Sequence, residues 1–322
     1  MKTSLLAFAS FTGLLASSHA APLRSNNATT KLSGVAAWWG QGSGASLDEV
    51  CGEKSFDIVI LSFLDTFFGA GGYPGMNMQG LYSPSPAQRA AGATDLLDGT
   101  PLVPAIKKCQ SAGKKVFLSL GGADASSKLD SDEQGAQLAD TVWNLFLGGT
   151  KDAALRPFQN VTLDGIDLDN ENHDPTGYLG LVNQLRANMK SDSSKQYYIS
   201  AAPQCPRPDA SLSDDVLQKT DMVWVQFYNN QQANCCNGQD GFLNSLQAWS
   251  KAVSPAQVWI GAPAAASAVG DGGYISASTM QAEIAQAKKL GLSNFGGVAL
   301  WDAELAIQNG NFQDAVASAL AS

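Results

Sequence analysis

The stretch Leu163-Asp164-Gly165-Ile166-Asp167-Leu168-Asp169-Asn170-Glu171 concentrates the residues best suited to chemistry. Read as a strand, it alternates faces with a period of two. Ile166 and Leu168 then point one way, and Asp167, Asp169 and Glu171 point the other. Three carboxylates in a row on one face of an apolar strand repel one another. They cannot all stay ionised, so at least one holds a proton with a raised pKa. A carboxylic acid kept protonated near neutral pH is what general-acid chemistry needs. The bland alternatives are an Asp-rich surface loop or a calcium loop. The EF-hand pattern fails here, because it requires Gly at its sixth position and Glu at its twelfth.

Other chemistries find little support. The chain has two histidines, and His19 lies in an N-terminal leader, so His173 alone remains. One histidine cannot form a metal cluster, and no GxSxG turn is present to carry a serine nucleophile. His173 reads as a loop residue following the strand, at the rim of the site. Five cysteines (Cys51, Cys109, Cys205, Cys235 and Cys236) contain no CxxC pair, which argues against zinc. No metal or cofactor is expected. In an exported chain these cysteines default to disulfides. The odd count leaves one over, and the adjacent pair Cys235-Cys236 leaves the pairing open.

Export itself is read from the first residues. Lys2, the apolar run Leu5–Ala16 and Ser18-His19-Ala20 form a secretory signal peptide over residues 1–20, cleaved after Ala20 or Ala21. The apolar run is too short to span a bilayer. A secreted, extracellular, monomeric protein is expected, with sequons at Asn27 and Asn160. Loss of Lys2 moves the net charge from -9 to about -10. With a pI near 4.6, the chain is a poor partner for nucleic acid or anionic membranes, which leaves neutral or cationic polymers.

The carboxylates need a frame. Residues 21–32 are polar, without periodicity, and read as a flexible lead-in. From residue 33 to 322, β-rich apolar runs alternate with amphipathic helical stretches. Strands are predicted at Gly34–Trp39, Phe56–Phe63, Lys115–Leu120, Val161–Asp169, Tyr197–Ala202, Met222–Tyr228, Gln257–Ala262 and Gly296–Trp301. Helices are predicted at Leu102–Ala112, Glu133–Leu147, Thr176–Met189, Gly241–Ala252, Thr279–Leu290 and Phe312–Leu320. Eight such units imply an α/β fold, a single (β/α)₈ barrel, because a doubly wound sheet usually has fewer strands. No linker or second compositional region divides it. Only about 30 residues separate the last two strands, too few for an α+β insertion domain, so a shallow open groove follows. Strand ends carry Trp38-Trp39-Gly40-Gln41, Ser119-Leu120-Gly121-Gly122, Gln226-Phe227-Tyr228-Asn229-Asn230 and Leu300-Trp301. Aromatics beside amides and carboxylates at one barrel mouth describe a carbohydrate site.

At this point the residues resemble a family. Leu163–Glu171 fits the DGxDxDxE signature of glycoside hydrolase family 18. Ala201-Ala202-Pro203-Gln204-Cys205-Pro206, Trp224-Val225-Gln226-Phe227-Tyr228-Asn229-Asn230 and Gly297-Val298-Ala299-Leu300-Trp301 resemble class III, hevamine-like chitinases of secreted fungal type. The resemblance spans essentially the whole mature chain. It implies that Glu171 is the acid, that Asp169 orients the substrate acetamido group, and that Asp167 shares a proton behind it. Tyr228 would hydrogen-bond the acetamido oxygen and Trp301 would floor the sugar. Gln226, Asn229, Gln41, Gly122 and Trp38 would line the cleft. Plant members commonly carry Tyr where this chain has Trp38. The resemblance also implies a Cys51–Cys109 bridge and a bridge from Cys205 to Cys235 or Cys236.

Asp169 and Glu171 sit about 6.6 Å apart along one strand, on one side of the scissile bond. This family is the exception in which the substrate assists: its N-acetyl oxygen attacks the anomeric carbon. The implied substrate is chitin and chito-oligosaccharides, cut internally at β-1,4 linkages. The rival readings are an endo-β-N-acetylglucosaminidase acting on N-glycans and a non-catalytic chitin-binding lectin on the same barrel. Such lectins typically lose the acid, and here Glu171, Asp169 and Tyr228 are all present.

Overall fold

In a computed structural model, eight short strands each bury both faces, one against the helices and one inside the ring they close. The structure describes residue 1 and residues 30–42, 44–123 and 128–322. The expected leader, most of the lead-in and the Asn27 sequon lie outside the described residues. The strands are β1 (Gly34–Trp39), β2 (Ile58–Leu64), β3 (Lys115–Gly122), β4 (Gly165–Asn170), β5 (Tyr198–Ala201), β6 (Met222–Gln226), β7 (Gln257–Pro263) and β8 (Phe295–Trp301). All neighbouring pairs are parallel, and β8 returns to β1 to close the barrel.

The period-two alternation sorts every strand. Val59, Leu61, Ile166, Leu168, Val223, Val225, Ile260 and Leu300 face outward into the larger apolar core beneath the helices. Ala36, Trp38, Ile60, Phe117, Tyr198, Trp224, Trp259 and Ala299 fill the barrel itself. The inner faces are therefore a packed column of large rings, with no pore. Trp224 meets Trp259 edge-on at 4.9 Å, and Phe117 stacks on Tyr198 at 5.9 Å.

Helices cover the outside: α1 (Leu47–Gly52), α2 (Pro86–Ala90), α3 (Val103–Ser111), α4 (Asp132–Phe146), α5 (Tyr178–Ser191), α6 (Asp214–Leu217), α7 (Phe242–Val253), α8 (Ala277–Lys289), α9 (Ala303–Gln308) and α10 (Phe312–Ala321). The six long helices fall within a few residues of the predicted ones. The four short ones, α1, α2, α6 and α9, were not anticipated, because four to six residues are too few to show a helical period. Two of them do carry capping boxes. Ser46 accepts from Glu49 N–H while Glu49 returns the bond, and Ser85 and Gln88 repeat the pattern at α2.

Two strand predictions ran long. The segment before Gly165 is coil: Leu163 N–H donates to the Phe146 carbonyl, away from the barrel ladder. At the other, β6 stops at Gln226 because Phe227 turns outward onto Phe242, with ring centres 5.0 Å apart. Between β7 and β8, residues 264–294 hold only α8 and a short 3₁₀ turn, so no second domain walls the barrel mouth.

Cys51–Cys109 joins α1 to α3, and Cys205–Cys235 joins the loops after β5 and β6. Cys236 is free and buried, which resolves the ambiguity of the adjacent pair. Asn160 is exposed, as its sequon requires. No helix among the described residues is long and apolar enough to cross a membrane.

Peptide mapping under non-reducing conditions should recover those two bridges, with Cys236 alkylated only after unfolding. Replacing both Cys51 and Cys109 with Ser should cost about 2–4 kcal/mol in urea denaturation, since the bridge closes a loop of 58 residues.

Candidate active site

The side chains singled out from the sequence converge on one cleft at the carboxyl ends of the strands. It encloses about 280 Å³, and its walls include Trp38, Gln41, Gly122, Asp169, Glu171, Gln226, Tyr228, Asn229 and Trp301. Asp167 lies one layer deeper and is fully buried.

Register explains how Asp167 is accommodated. It is paired with Ser119 on β3 and with Ser200 on β5. Each serine donates to it at 2.7 Å, Ser119 to Oδ2 and Ser200 to Oδ1. From across the barrel, Trp38 Nε1 donates to Oδ2 at 3.1 Å and Trp224 Nε1 to Oδ1 at 2.7 Å. Each oxygen thus receives one hydroxyl and one indole N–H. Indole nitrogen can only donate, so this arrangement favours the ionised carboxylate. Burial pushes Asp167 above its ordinary range, and the four donors pull it back.

Asp169 has much less support. Gln226 Nε2 donates to its Oδ1 at 3.2 Å and also to the Ala202 carbonyl at 3.0 Å. Burial, reinforced by the charges of Glu171, Asp167 and Asp209, pushes Asp169 well above the usual carboxylate range. Both carboxyls are thus pushed upward, Asp169 with one side-chain donor against the four that meet Asp167. Glu171 lies just past the end of β4. Burial raises it too, while the Gln226 amide and His173 pull it down. Burial and the charges of Asp169, Glu171 and Asp167 push the Tyr228 phenol well above its ordinary value, so it remains an O–H donor.

The loop bearing Glu171 is anchored from behind. Asn170 Nδ2 donates to the carbonyls of Asp174 (2.8 Å) and Ser211 (2.7 Å). His173 is exposed, as a rim residue should be, and its N–H donates to Ser211 Oγ. Asp209 accepts from the N–H groups of Gln204, Ser211 and Leu212 and holds the neighbouring loop.

Several cleft residues do something narrower than their position alone suggested. Trp38 is buried, and its only polar atom is spent on Asp167. Gln41 Nε2 donates to the Ser62 and Asn77 carbonyls, which ties the first two strand-end loops together. Asn229 Oδ1 accepts from Gly270 and Asp271, which fixes the loop after β7. Trp301 stacks on Phe63 at 5.8 Å and meets Trp38 edge-on at 6.2 Å. Gly121 and Gly122 both adopt positive φ, and a Cβ on Gly121 would collide with the Asp169 carbonyl. These glycines let β3 close against the acidic strand.

Phe63, Asp65, Asn77 and Ala268 also line the cleft and were not anticipated. Phe63 and Asp65 sit at a predicted strand end, so their position was readable. Asn77 and Ala268 lie in loops without a pattern. Among the described residues, no cluster of His, Cys, Asp and Glu could hold a metal ion.

Residues 35–304 match the model of glycosyl hydrolases family 18. The chain belongs to that family. A family 18 relative named Endochitinase 3, from Metarhizium robertsii, is 51% identical over 306 residues, covering 94% of this chain and 95% of the relative. A solved chitinase from Ipomoea carnea superposes with a TM-score of 0.76 at 33% identity, covering 89% of this chain and 99% of that one. A xylanase and α-amylase inhibitor protein from Scadoxus multiflorus is also similar, with a TM-score of 0.73 at 31% identity over 88% and 97% of the two chains. The barrel alone therefore does not decide between hydrolysis and binding; the acids do.

A carboxyl whose folded pKa is raised contributes stability at low pH and loses it as pH rises through the folded value. Asp169→Asn should therefore stabilise the protein at pH 7 relative to the parent. The gain should vanish near pH 3, as read by urea unfolding at both pH values.

Proposed function

We propose that this family 18 protein is a secreted endochitinase that cleaves β-1,4 linkages between N-acetylglucosamine units by a retaining, substrate-assisted route. The observation that carries the reading is that Asp169, near the end of β4, and Glu171, just past it, line the same cleft as Tyr228. No second carboxylate from β4 is available to attack from the far face of the sugar.

In this reading Glu171 protonates the glycosidic oxygen, and its burial keeps the proton in place until a leaving group takes it. The substrate's own acetamido oxygen attacks the anomeric carbon and forms an oxazolinium ion. Asp169 sits where positive charge develops on the acetamido nitrogen, and the Tyr228 hydroxyl holds the carbonyl oxygen in line. Glu171 then removes a proton from the water that opens the ion. Trp301, stacked on Phe63, offers an apolar face to the distorted sugar. Such a route needs no metal. The open cleft mouth, with no insertion between β7 and β8, suits internal cleavage of a polymer.

Export is part of the proposal, supported by the apolar leader at residues 1–20 and by the two disulfides. Similar barrels do bear names of inhibitors. Against a purely binding role, Glu171 lines the cleft with its pKa raised, which a binding surface does not require.

Glu171→Gln should lower kcat on chitopentaose by about 10²- to 10⁴-fold, and Tyr228→Phe by about 10²- to 10³-fold. A fully deacetylated pentamer should resist cleavage, and rapid hydrolysis of it would sink the reading. Release of high-mannose glycan from a glycoprotein, with no action on chitopentaose, would instead indicate the endo-N-acetylglucosaminidase.

Asp209 adds a negative charge that raises Glu171. Removing it in Asp209→Asn should ease ionisation of the acid. The alkaline limb of kcat/KM should then move to lower pH, which a pH–rate profile reads directly.

A further inference from the structure

One buried acid at the barrel mouth takes no part in the reaction above. Glu304 lies in the first turn of α9, three residues past Trp301, and is 2% exposed. Its Oε2 accepts the Gly44 N–H at 2.6 Å. The Gln79 amide, in the orientation that satisfies both its atoms, donates to Glu304 Oε1 at 2.9 Å and to the Gly42 carbonyl at 3.0 Å. Gln79 N–H in turn donates to the Gly40 carbonyl at 2.8 Å. A single carboxylate thus joins three segments, and each carries a cleft residue: Gln41 after β1, Asn77 after β2 and Trp301 at the end of β8.

The glycines make the contact possible. A Cβ on Gly42 would collide with Glu304 Oε2, and one on Gly44 with Gln308 Nε2. Gly40 has a positive φ of 127° and approaches the Ser62 carbonyl. The glycines at 42 and 44 are therefore what lets this loop approach α9 closely enough to bond the acid. Without that acid the Gly44 N–H and the Gln79 amide lose the partner that joins their loops to α9.

We propose that Glu304 is a positioning residue for oligosaccharide binding: it clasps the segments bearing Gln41 and Asn77 to the Trp301 end of β8, and so sets one wall of the cleft. The proposal rests on the chitinase reading only for the identity of the ligand. Its reach is confined to affinity, because Glu304 touches neither Glu171 nor Asp169.

The test measures the Kd of chitopentaose by calorimetry, with every variant built on Glu171→Gln so that no turnover intervenes. Glu304→Ala should weaken binding about fivefold to tenfold, and Glu304→Gln, which keeps one acceptor oxygen, should weaken it less. Adding Gln41→Ala to Glu304→Ala should cost little more, since the first change has already released Gln41. Adding Asn229→Ala, on the far loop, should multiply the effects. Should Glu304→Ala not fold, Gly42→Ala perturbs the same clasp from the loop side and should reproduce the loss. An unchanged Kd in folded variants, or full multiplication with Gln41→Ala, overturns the clasp. Absence of chitopentaose binding by the Glu171→Gln parent overturns both the clasp and the ligand assignment, whereas binding by the parent without any difference among variants overturns the clasp alone.

Discussion

Everything at the mouth of this barrel depends on how one buried charge is accommodated. Asp167 has no access to water, and an isolated carboxylate there would be prohibitively costly. Two hydroxyls and two indole N–H groups, one of each on either oxygen, meet it instead. These donors come from β1, β3, β5 and β6, so the charge also holds half of the barrel strands in register. Those donors favour the ionised form of Asp167. Its charge adds to burial and to Glu171 in raising Asp169, two residues further along the same strand face, where Gln226 donates. The two carboxyls therefore differ in the donors that each layer supplies.

The same strand has a geometric consequence. Asp169 and Glu171 follow one another at the end of β4, in the cleft that Tyr228 and Trp301 also line. Two carboxylates flanking a sugar from opposite faces need two elements, and β4 is one element. In the proposed route the ligand supplies the nucleophile, and the substrate is then restricted to sugars carrying a 2-acetamido group. The aromatic column beneath links the two layers: Trp38 and Trp224 satisfy Asp167, while Trp38 also abuts Trp301 in the cleft wall.

Most of the barrel was legible because period-two alternation in β4, β6 and β8 left little choice of face. The acidic file was legible for the same reason, since Asp167, Asp169 and Glu171 break an apolar pattern at its inner positions. What escaped was set by long-range contact. Nothing local marks Asn77 or Ala268 as cleft residues, because neither lies in a periodic segment. Glu304 sits in a six-residue helix too short to declare itself, and its partners are more than 200 positions away. Trp38 was placed at the cleft by its strand end, but its duty toward Asp167 depends on a neighbour across the barrel. Pairing of Cys205 with Cys235 over Cys236 likewise depended on which of two buried side chains the loop turns toward Cys205.

The claim that the substrate furnishes its own nucleophile is tested most directly by the configuration of the first product. Chitohexaose can be cleaved in an NMR tube and the anomeric protons followed before mutarotation equilibrates them. Two displacements, the first by the acetamido oxygen and the second by water, predict that the new reducing end appears first as the β-anomer. An initial α-anomer would mean that water attacks directly, and would contradict the account.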